Sequence, residues 1–276
     1  MRVNCILSIT ALVASSVSVA PELPQTFRAP FLRFFLSQGR ETSTLHQPRS
    51  WGAGVKPAMT RSALILEFVL LFVALPLGYR FSPVRIPALP LLWLVAGYAC
   101  WQLLRNPHFD RARLWKIGTL PSRLGVILLL FAVAAIALWL GVRRFAPSLE
   151  WSFVRQTPAF WALVMVAYPV LSVYPQGLLF RAFFFERYTD LFPGEWAMIL
   201  ASAAAFAFLH IVFRNWLAVV LTFAGGLLFA MRYVETDSLA TSSFEHALYG
   251  CWLFTVGLGQ YFYHGTIASV GSAMSR

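Results

Sequence analysis

The chain has 276 residues, of which 59% are apolar and only 12% are charged, and its mean hydropathy is +0.67. Soluble domains are typically about 45–50% apolar and about 25% charged, so this composition excludes an ordinary soluble domain and indicates a lipid bilayer as the solvent. The formal net charge of +11 does not indicate nucleic-acid binding, because the basic residues are spread thinly between long apolar runs, as in the loops of membrane proteins.

Residues 1–58 differ in composition from the rest of the chain. Arg2, a modest apolar stretch and the small residues Ser18 and Ala20 resemble a secretory signal. Pro, Arg, Ser, Gln and Thr then dominate up to Ala58, which predicts disorder. Two interpretations stay open: a cleaved or flexible leader, or an extension upstream of a true start at Met59. In either case we expect the chemistry to lie elsewhere.

Seven stretches after Met59 approach the ~20 apolar residues that a transmembrane helix needs. They are 63–79, 86–104, 124–142, 159–174, 196–213, 215–231 and 241–263. An eighth stretch, 176–188, is short, and Pro169 and Pro175 precede it. Proline removes an amide donor and suits a first helical turn, so we expect a break and a new helix beginning at about Pro175. The predicted fold is an all-α, polytopic membrane helix bundle of about seven spans plus this short helix.

The predicted organisation follows from these spans. We divide the chain into the leader 1–58, N-terminal transmembrane helices at 59–158, a core at 159–265 and a tail at 266–276. The most basic loop, 105–123, is expected on the cytoplasmic side. We expect an integral protein of the bacterial inner membrane.

Ionisable side chains inside predicted spans are the default candidates for function, because burying them in a bilayer is costly. The candidates are Glu67, Arg181, His210, Glu245 and His246. Glu67 lies near the start of its span, where headgroup water can reach it, and a lone membrane histidine usually bonds a neighbouring helix. Two histidines and an arginine together instead predict a polar site within an apolar pocket.

Three motifs on separate predicted helices carry a resemblance. QGLLFRAFFFERY contains Arg181, FAFLH supplies Phe206 and His210, and EHALYG supplies His246. In order and placement they resemble the CPBP family, the CAAX-protease and bacteriocin-processing (Abi) intramembrane endopeptidases, over about residues 160–265. The family pattern is Glu-Glu-x-x-x-Arg, Phe-x-x-x-His and His-x-x-x-Asn or Asp.

The resemblance implies cleavage of a membrane-embedded or membrane-associated peptide or protein by an activated water. By position, His210 would bind or polarise the water, and His246 would donate to the developing negative charge. Lipid is then the surrounding partner, and nucleic acid is not expected to bind.

The chain departs from the pattern at three positions. Gln176 and Gly177 stand where the family has its two glutamates, and Gly250 stands where it has Asn or Asp. Gln176 can orient a water by hydrogen bonding but cannot take its proton at neutral pH. A general base typically supplies about 10²–10⁴ in rate, so we expect weakened hydrolysis unless another acid substitutes.

Arg181 needs another partner, because a glutamate at 177 would have been its i, i+4 neighbour. We nominate Glu245, which adjoins His246, although its side chain points about 100° away around the helix. Glu186 is the second choice. Beside a catalytic role for Gln176, Arg181 and Glu245 with the two histidines, two alternatives stay open: a catalytically inactive binding or scaffold protein of the same fold, and an unrelated small polytopic transporter.

A zinc cofactor is implied only by the resemblance, since members of that family are often described as metalloproteases. A catalytic zinc normally takes three protein ligands, and the candidates here are His210 and His246, with Glu245 as a speculative third. The three cysteines have no CxxC spacing, so they do not indicate a metal site. We therefore expect no structural requirement for a metal.

Overall fold

The computed structural model describes residues 60–84 and 86–262. The predictions for the leader 1–58, for a start at Met59 and for the tail 266–276 lie outside these residues, as does the very end of the predicted span 241–263. The boundary at residue 158 stays a prediction.

Helices account for nearly all of the described chain, which contains no strand. In chain order the helices are α1 (Arg61–Phe81), α2 (Ala88–Arg105), α3 (Ala112–Trp115), α4 (Leu120–Phe145), α5 (Ser152–Gln156), α6 (Pro158–Arg187), α7 (Glu195–Leu209), α8 (Trp216–Thr236) and α9 (Leu239–Val256). Short 3-10 turns follow α7 at His210–Phe213 and α9 at Leu258–Phe262.

Six helices of the described ranges are long and apolar enough to cross a membrane: α1, α2, α4, α6, α8, and α7 together with its 3-10 turn. The seventh expected span corresponds to α9, which has 18 residues but is more polar. The predicted all-α membrane helix bundle is confirmed, and the chain is an integral membrane protein.

Helix α6 is continuous, contrary to the expected break before Pro175. The backbone instead widens into π-helix over Pro169–Val173 and again over Leu178–Phe183. The amide of Tyr174 donates to the carbonyl of Pro169, five residues earlier. A wide turn of this kind accommodates a proline without ending the helix, which is why the prediction of a new helix was wrong.

Neighbouring helices hydrogen-bond to carbonyl groups of these wide turns. The indole of Trp93 on α2 donates to the carbonyl of Leu171 at 3.0 Å. The hydroxyl of Ser202 on α7 donates to the carbonyl of Phe180 at 2.6 Å. Both π-helical segments are therefore fixed by tertiary contacts.

Helix α9 packs against α4, α6 and α8, so it occupies the interior of the bundle. The hydroxyl of Ser238 accepts a hydrogen bond from the amide of Thr241 and caps its start. Gly257, with φ of 108°, ends it in a left-handed turn. A Cβ at this position would overlap the carbonyl of Leu149, so the turn requires glycine.

Ion pairs tie the connecting segments to the bundle. Arg113 on α3 pairs with Asp237 directly after α8 at 2.9 Å, and Arg123 in the first turn of α4 pairs with Glu235 in the last turn of α8 at 2.7 Å. Glu67 on α1 accepts hydrogen bonds from Arg187 at the end of α6. The side chain of Glu67 is only 11% exposed, so its partner is an arginine rather than headgroup water.

Candidate active site

The ring of Phe206 on α7 is the common neighbour of three residues singled out in the sequence. The guanidinium carbon of Arg181 lies 4.4 Å from the centre of this ring. The ring centres of His210 and His246 lie 4.7 and 5.4 Å from it. Helices α6, α7 and α9, with the turn that follows α7, therefore bring the guanidinium and both imidazoles together, as expected. The catalytic roles of these side chains stay predictions.

His210 begins the 3-10 turn after α7, and its Nδ1 lies 2.7 Å from the carbonyl oxygen of Phe206. A carbonyl oxygen only accepts, so Nδ1 carries the hydrogen and donates. The Nε2 atom is then unprotonated and able to accept a proton. Because His210 also lines the apolar cavity described below, it is suited to act as a base.

His246 is held between aromatic rings. Its imidazole stacks on Phe229 with the ring centres 4.5 Å apart and the planes 20° apart. It is buried, and its Nδ1 has no hydrogen-bond partner among the described residues. This packing fixes the ring and leaves one nitrogen for a ligand, since buried polar atoms are rarely left unpaired.

Arg181 is 1% exposed, and none of its three nitrogens finds a hydrogen-bond partner in the described part of the chain. The aromatic faces of Phe206 and, at 5.4 Å, of Phe229 are its main neighbours. Cation–π contacts are worth about 0.5–2 kcal/mol, whereas an uncompensated buried charge costs several times more. A buried charge of this kind lowers the stability of the fold, so its presence indicates a function.

An apolar cavity of about 780 Å³ adjoins this group. It lies among α1, α2, α6 and the turn that follows α7, and its polar lining includes Tyr168, Ser172, Gln176 and His210. The amide of Gln176 donates to the hydroxyl of Ser172 at 2.7 Å, and its buried oxygen has no partner among the described residues. A few convergent polar groups in a large apolar cavity are typical of ligand sites.

Gly177 and Gly250 stand where the resembled family has polar side chains, and in both places a neighbouring side chain fills the space. A Cβ on Gly177 would lie 2.8 Å from the hydroxyl oxygen of Ser243 and 2.9 Å from a methyl group of Leu239, both on α9. A Cβ on Gly250 would overlap the ring and hydroxyl of Tyr168. Close packing of α6 against α9 thus occupies the places where the family has polar side chains.

Neither nominated carboxylate reaches Arg181. Glu245 is fully buried and accepts hydrogen bonds from Arg232 on α8, at 2.8 Å from Nε. Glu186 accepts from Asn106 and pairs with Arg113. The expectation that one of them replaces the missing glutamate is wrong, because the rotation of α9 that packs His246 against Phe206 and Phe229 directs Glu245 toward Arg232 instead.

The side chains present do not fit a catalytic zinc. Within residues 60–84 and 86–262, no group of three or more His, Cys, Asp or Glu side chains is arranged to hold a metal ion. His210 and His246 have a guanidinium as their neighbour, which repels a dication, and Glu245 is bound to Arg232. A zinc-bound mechanism therefore lacks a third protein ligand here.

Two residues at the site were not foreseen from the sequence. Arg232 lies one residue beyond the predicted span 215–231, so it is not among the ionisable side chains identified inside the spans. Tyr168 carried a signal only through its place before Pro169. Its contact with Gly250 depends on tertiary packing.

Comparison with known families bears on the same helices. Residues 156–252 match the family model described as Rce1-like, type II CAAX prenyl endopeptidase Rce1-like. No curated protein and no solved structure matches the chain. The matched segment contains α6 to most of α9, and with them Gln176, Arg181, His210 and His246. The CAAX-protease resemblance is confirmed over residues 156–252 of this integral membrane protein.

Proposed function

We propose that the protein is an intramembrane endopeptidase of the CPBP type that hydrolyses a peptide bond with a histidine base and no carboxylate. The observation that carries the proposal is the hydrogen bond from Nδ1 of His210 to the carbonyl of Phe206, because it leaves Nε2 as a proton acceptor beside a large cavity. The Rce1-like match supports the same reaction class.

The side chains allow a balanced hydrolysis. A water held by Gln176 and His210 adds its oxygen to the substrate's carbonyl carbon, and its proton passes to Nε2 of His210. The carbonyl electron pair moves to oxygen, where the fixed charge of Arg181 and a donor from His246 stabilise it. When the carbon–nitrogen bond breaks, His210 returns the proton to the leaving amine. Gln176 and the two histidines are thus the proposed catalytic residues, with Arg181 as the electrostatic group.

We expect this reaction to be slow. The carboxylates Glu186 and Glu245 are paired elsewhere, so neither offers a countercharge to the imidazolium formed at His210. The same observation favours a second candidate, an inactive protein of this fold that binds membrane peptides without cutting them. In both cases the partner is a membrane-embedded or membrane-associated polypeptide, and we propose the bacterial inner membrane as the location.

The test uses the full chain in detergent and a panel of membrane peptides with cleavage read by mass spectrometry. We expect slow cleavage that His210→Ala abolishes and that His108→Ala, at an exposed loop histidine, leaves unchanged. Peptide binding without cleavage in the parent would favour the inactive protein. Solute flux through proteoliposomes without peptide binding would favour a transporter.

A further inference from the structure

The side chain of Tyr168 occupies the space over Gly250. A Cβ at position 250 would overlap both the ring and the hydroxyl of Tyr168, so any larger residue there would displace this phenol. Gly250 lies one helical turn after His246, and the two residues therefore share a face of α9. The absence of a side chain at 250 is what allows the tyrosine to lie beside the second histidine.

Tyr168 also faces the cavity. It lines the same space as His210 and Gln176. Its ring stands perpendicular to the imidazole of His246, with an angle of 89° and ring centres 6.4 Å apart, and packs on Phe254 at 5.2 Å. Within the described ranges, its hydroxyl makes no hydrogen bond to another residue. A half-buried phenol clamped between rings, with a free hydroxyl at a cavity wall, is a donor held ready for a ligand.

The phenol of Tyr168 shares the cavity lining with the proposed base, and two parts of the fold place these groups. Helix α6 supplies Tyr168 directly before the π-helical segment Pro169–Val173 and Gln176 after it, while His210 enters from the turn after α7. A peptide carbonyl placed between the base and the phenol therefore has a proton acceptor on one side and a hydrogen-bond donor on the other. This arrangement is the one that acyl transfer requires.

We propose that the hydroxyl of Tyr168 donates a hydrogen bond to the substrate's carbonyl oxygen, in the space left by the missing side chain at position 250. The inference rests on the proposed endopeptidase function and adds a catalytic residue to it. The phenol keeps its proton throughout: the water proton still passes to His210 and then to the leaving amine. Tyr168 lowers only the energy of the negatively charged oxygen.

The first test removes this hydroxyl alone. Tyr168→Phe keeps the ring contacts, so the melting temperature in detergent should equal that of the parent. Cleavage should fall by about 10²–10³ in kcat, as for the loss of one oxyanion donor, with little change in KM. Tyr174→Phe is the matched control, because that hydroxyl contacts the carbonyl of Leu114; it should cleave like the parent.

The second test changes the packing between positions 168 and 250. Gly250→Asn alone should lower the melting temperature and stop cleavage, because the new side chain meets the phenol. The double variant Tyr168→Ala/Gly250→Asn should regain both stability and part of the cleavage that Tyr168→Ala loses. A Gly250→Asn protein as stable and active as the parent would show that the contact, and with it the inference, is wrong.

The outcomes separate this inference from the proposed function. A parent that cleaves no peptide, with His210→Ala indistinguishable from it, overturns both. A parent whose cleavage depends on His210 but is unchanged in Tyr168→Phe overturns the role of Tyr168 alone.

Discussion

Glu245 accepts a hydrogen bond of 2.8 Å from Nε of Arg232, and both side chains are buried where α8 packs against α9. The carboxylate next to His246 in the sequence is therefore part of a helix-to-helix ion pair. Arg232 also pairs with Glu235, one turn later on its own helix. This pairing assigns Glu245 to the folding of the bundle rather than to its chemistry.

The ion pair predicts a stability effect. Arg232→Ala leaves the carboxylate of Glu245 buried without its partner, which should cost about 3–5 kcal/mol of unfolding free energy. Arg232→Ala/Glu245→Ala removes both charges and should recover much of that loss. Unfolding in detergent measures the difference, and a double variant less stable than either single variant would contradict the pairing.

Replacing Arg181 should stabilise the protein, whereas replacing Arg232 should destabilise it. Because the guanidinium of Arg181 is buried without a hydrogen-bond acceptor among the described residues, Arg181→Met should raise the melting temperature while lowering cleavage. The exchange of stability for activity is typical of functional residues. A variant both less stable and less active would instead indicate a structural role, and Arg123→Met, at a partly exposed ion pair, provides the comparison.

Gln176→Glu tests whether the missing carboxylate limits the rate. The change keeps the size of the side chain, and the hydroxyl of Ser172, now 2.7 Å from the amide nitrogen, can donate to the new carboxylate. We expect cleavage to increase, by at most the ~10²–10⁴ that a general base supplies. Unchanged or lower cleavage would mean that position 176 does not reach the attacking water.

Gly177→Glu should help less, because the new side chain must displace Ser243 and Leu239. We expect a lower melting temperature in this variant, measured in detergent, and a smaller gain in cleavage than for Gln176→Glu. Adding Ser243→Ala should recover part of the stability by removing the nearer contact. A Gly177→Glu protein as stable as the parent would show that α9 yields easily at this point.

A zinc chelator should leave cleavage unchanged, since the described residues offer only two imidazoles beside a guanidinium. Cleavage rates before and after incubation with 1,10-phenanthroline measure this. Loss of activity that added zinc restores would contradict it.

The sequence predicted the helices well and the partners of its charged residues poorly. Long apolar runs identify spans because the bilayer requires them. The pairing of Glu245 with Arg232, by contrast, depends on how far α9 is rotated against α8, and no local pattern encodes that rotation. The convergence of His210 and His246 on Phe206 was expected only because three motifs matched a known order.

The π-helical turns in α6 bear on the direction in which the site residues face. A π-helical turn is an α-helical turn with one residue added, and one residue corresponds to about 100° of rotation around the axis. Deleting a single residue between Pro169 and Val173 would tighten that turn to an ordinary α-helical turn and leave Gln176 and Arg181 on the same side of the helix, because the wide turn absorbs the extra residue. Removing one residue from the regular α-helical turns before Pro169 would instead rotate Gln176 and Arg181 by about 100° around the axis, so it is the length of that segment that the position of the site constrains.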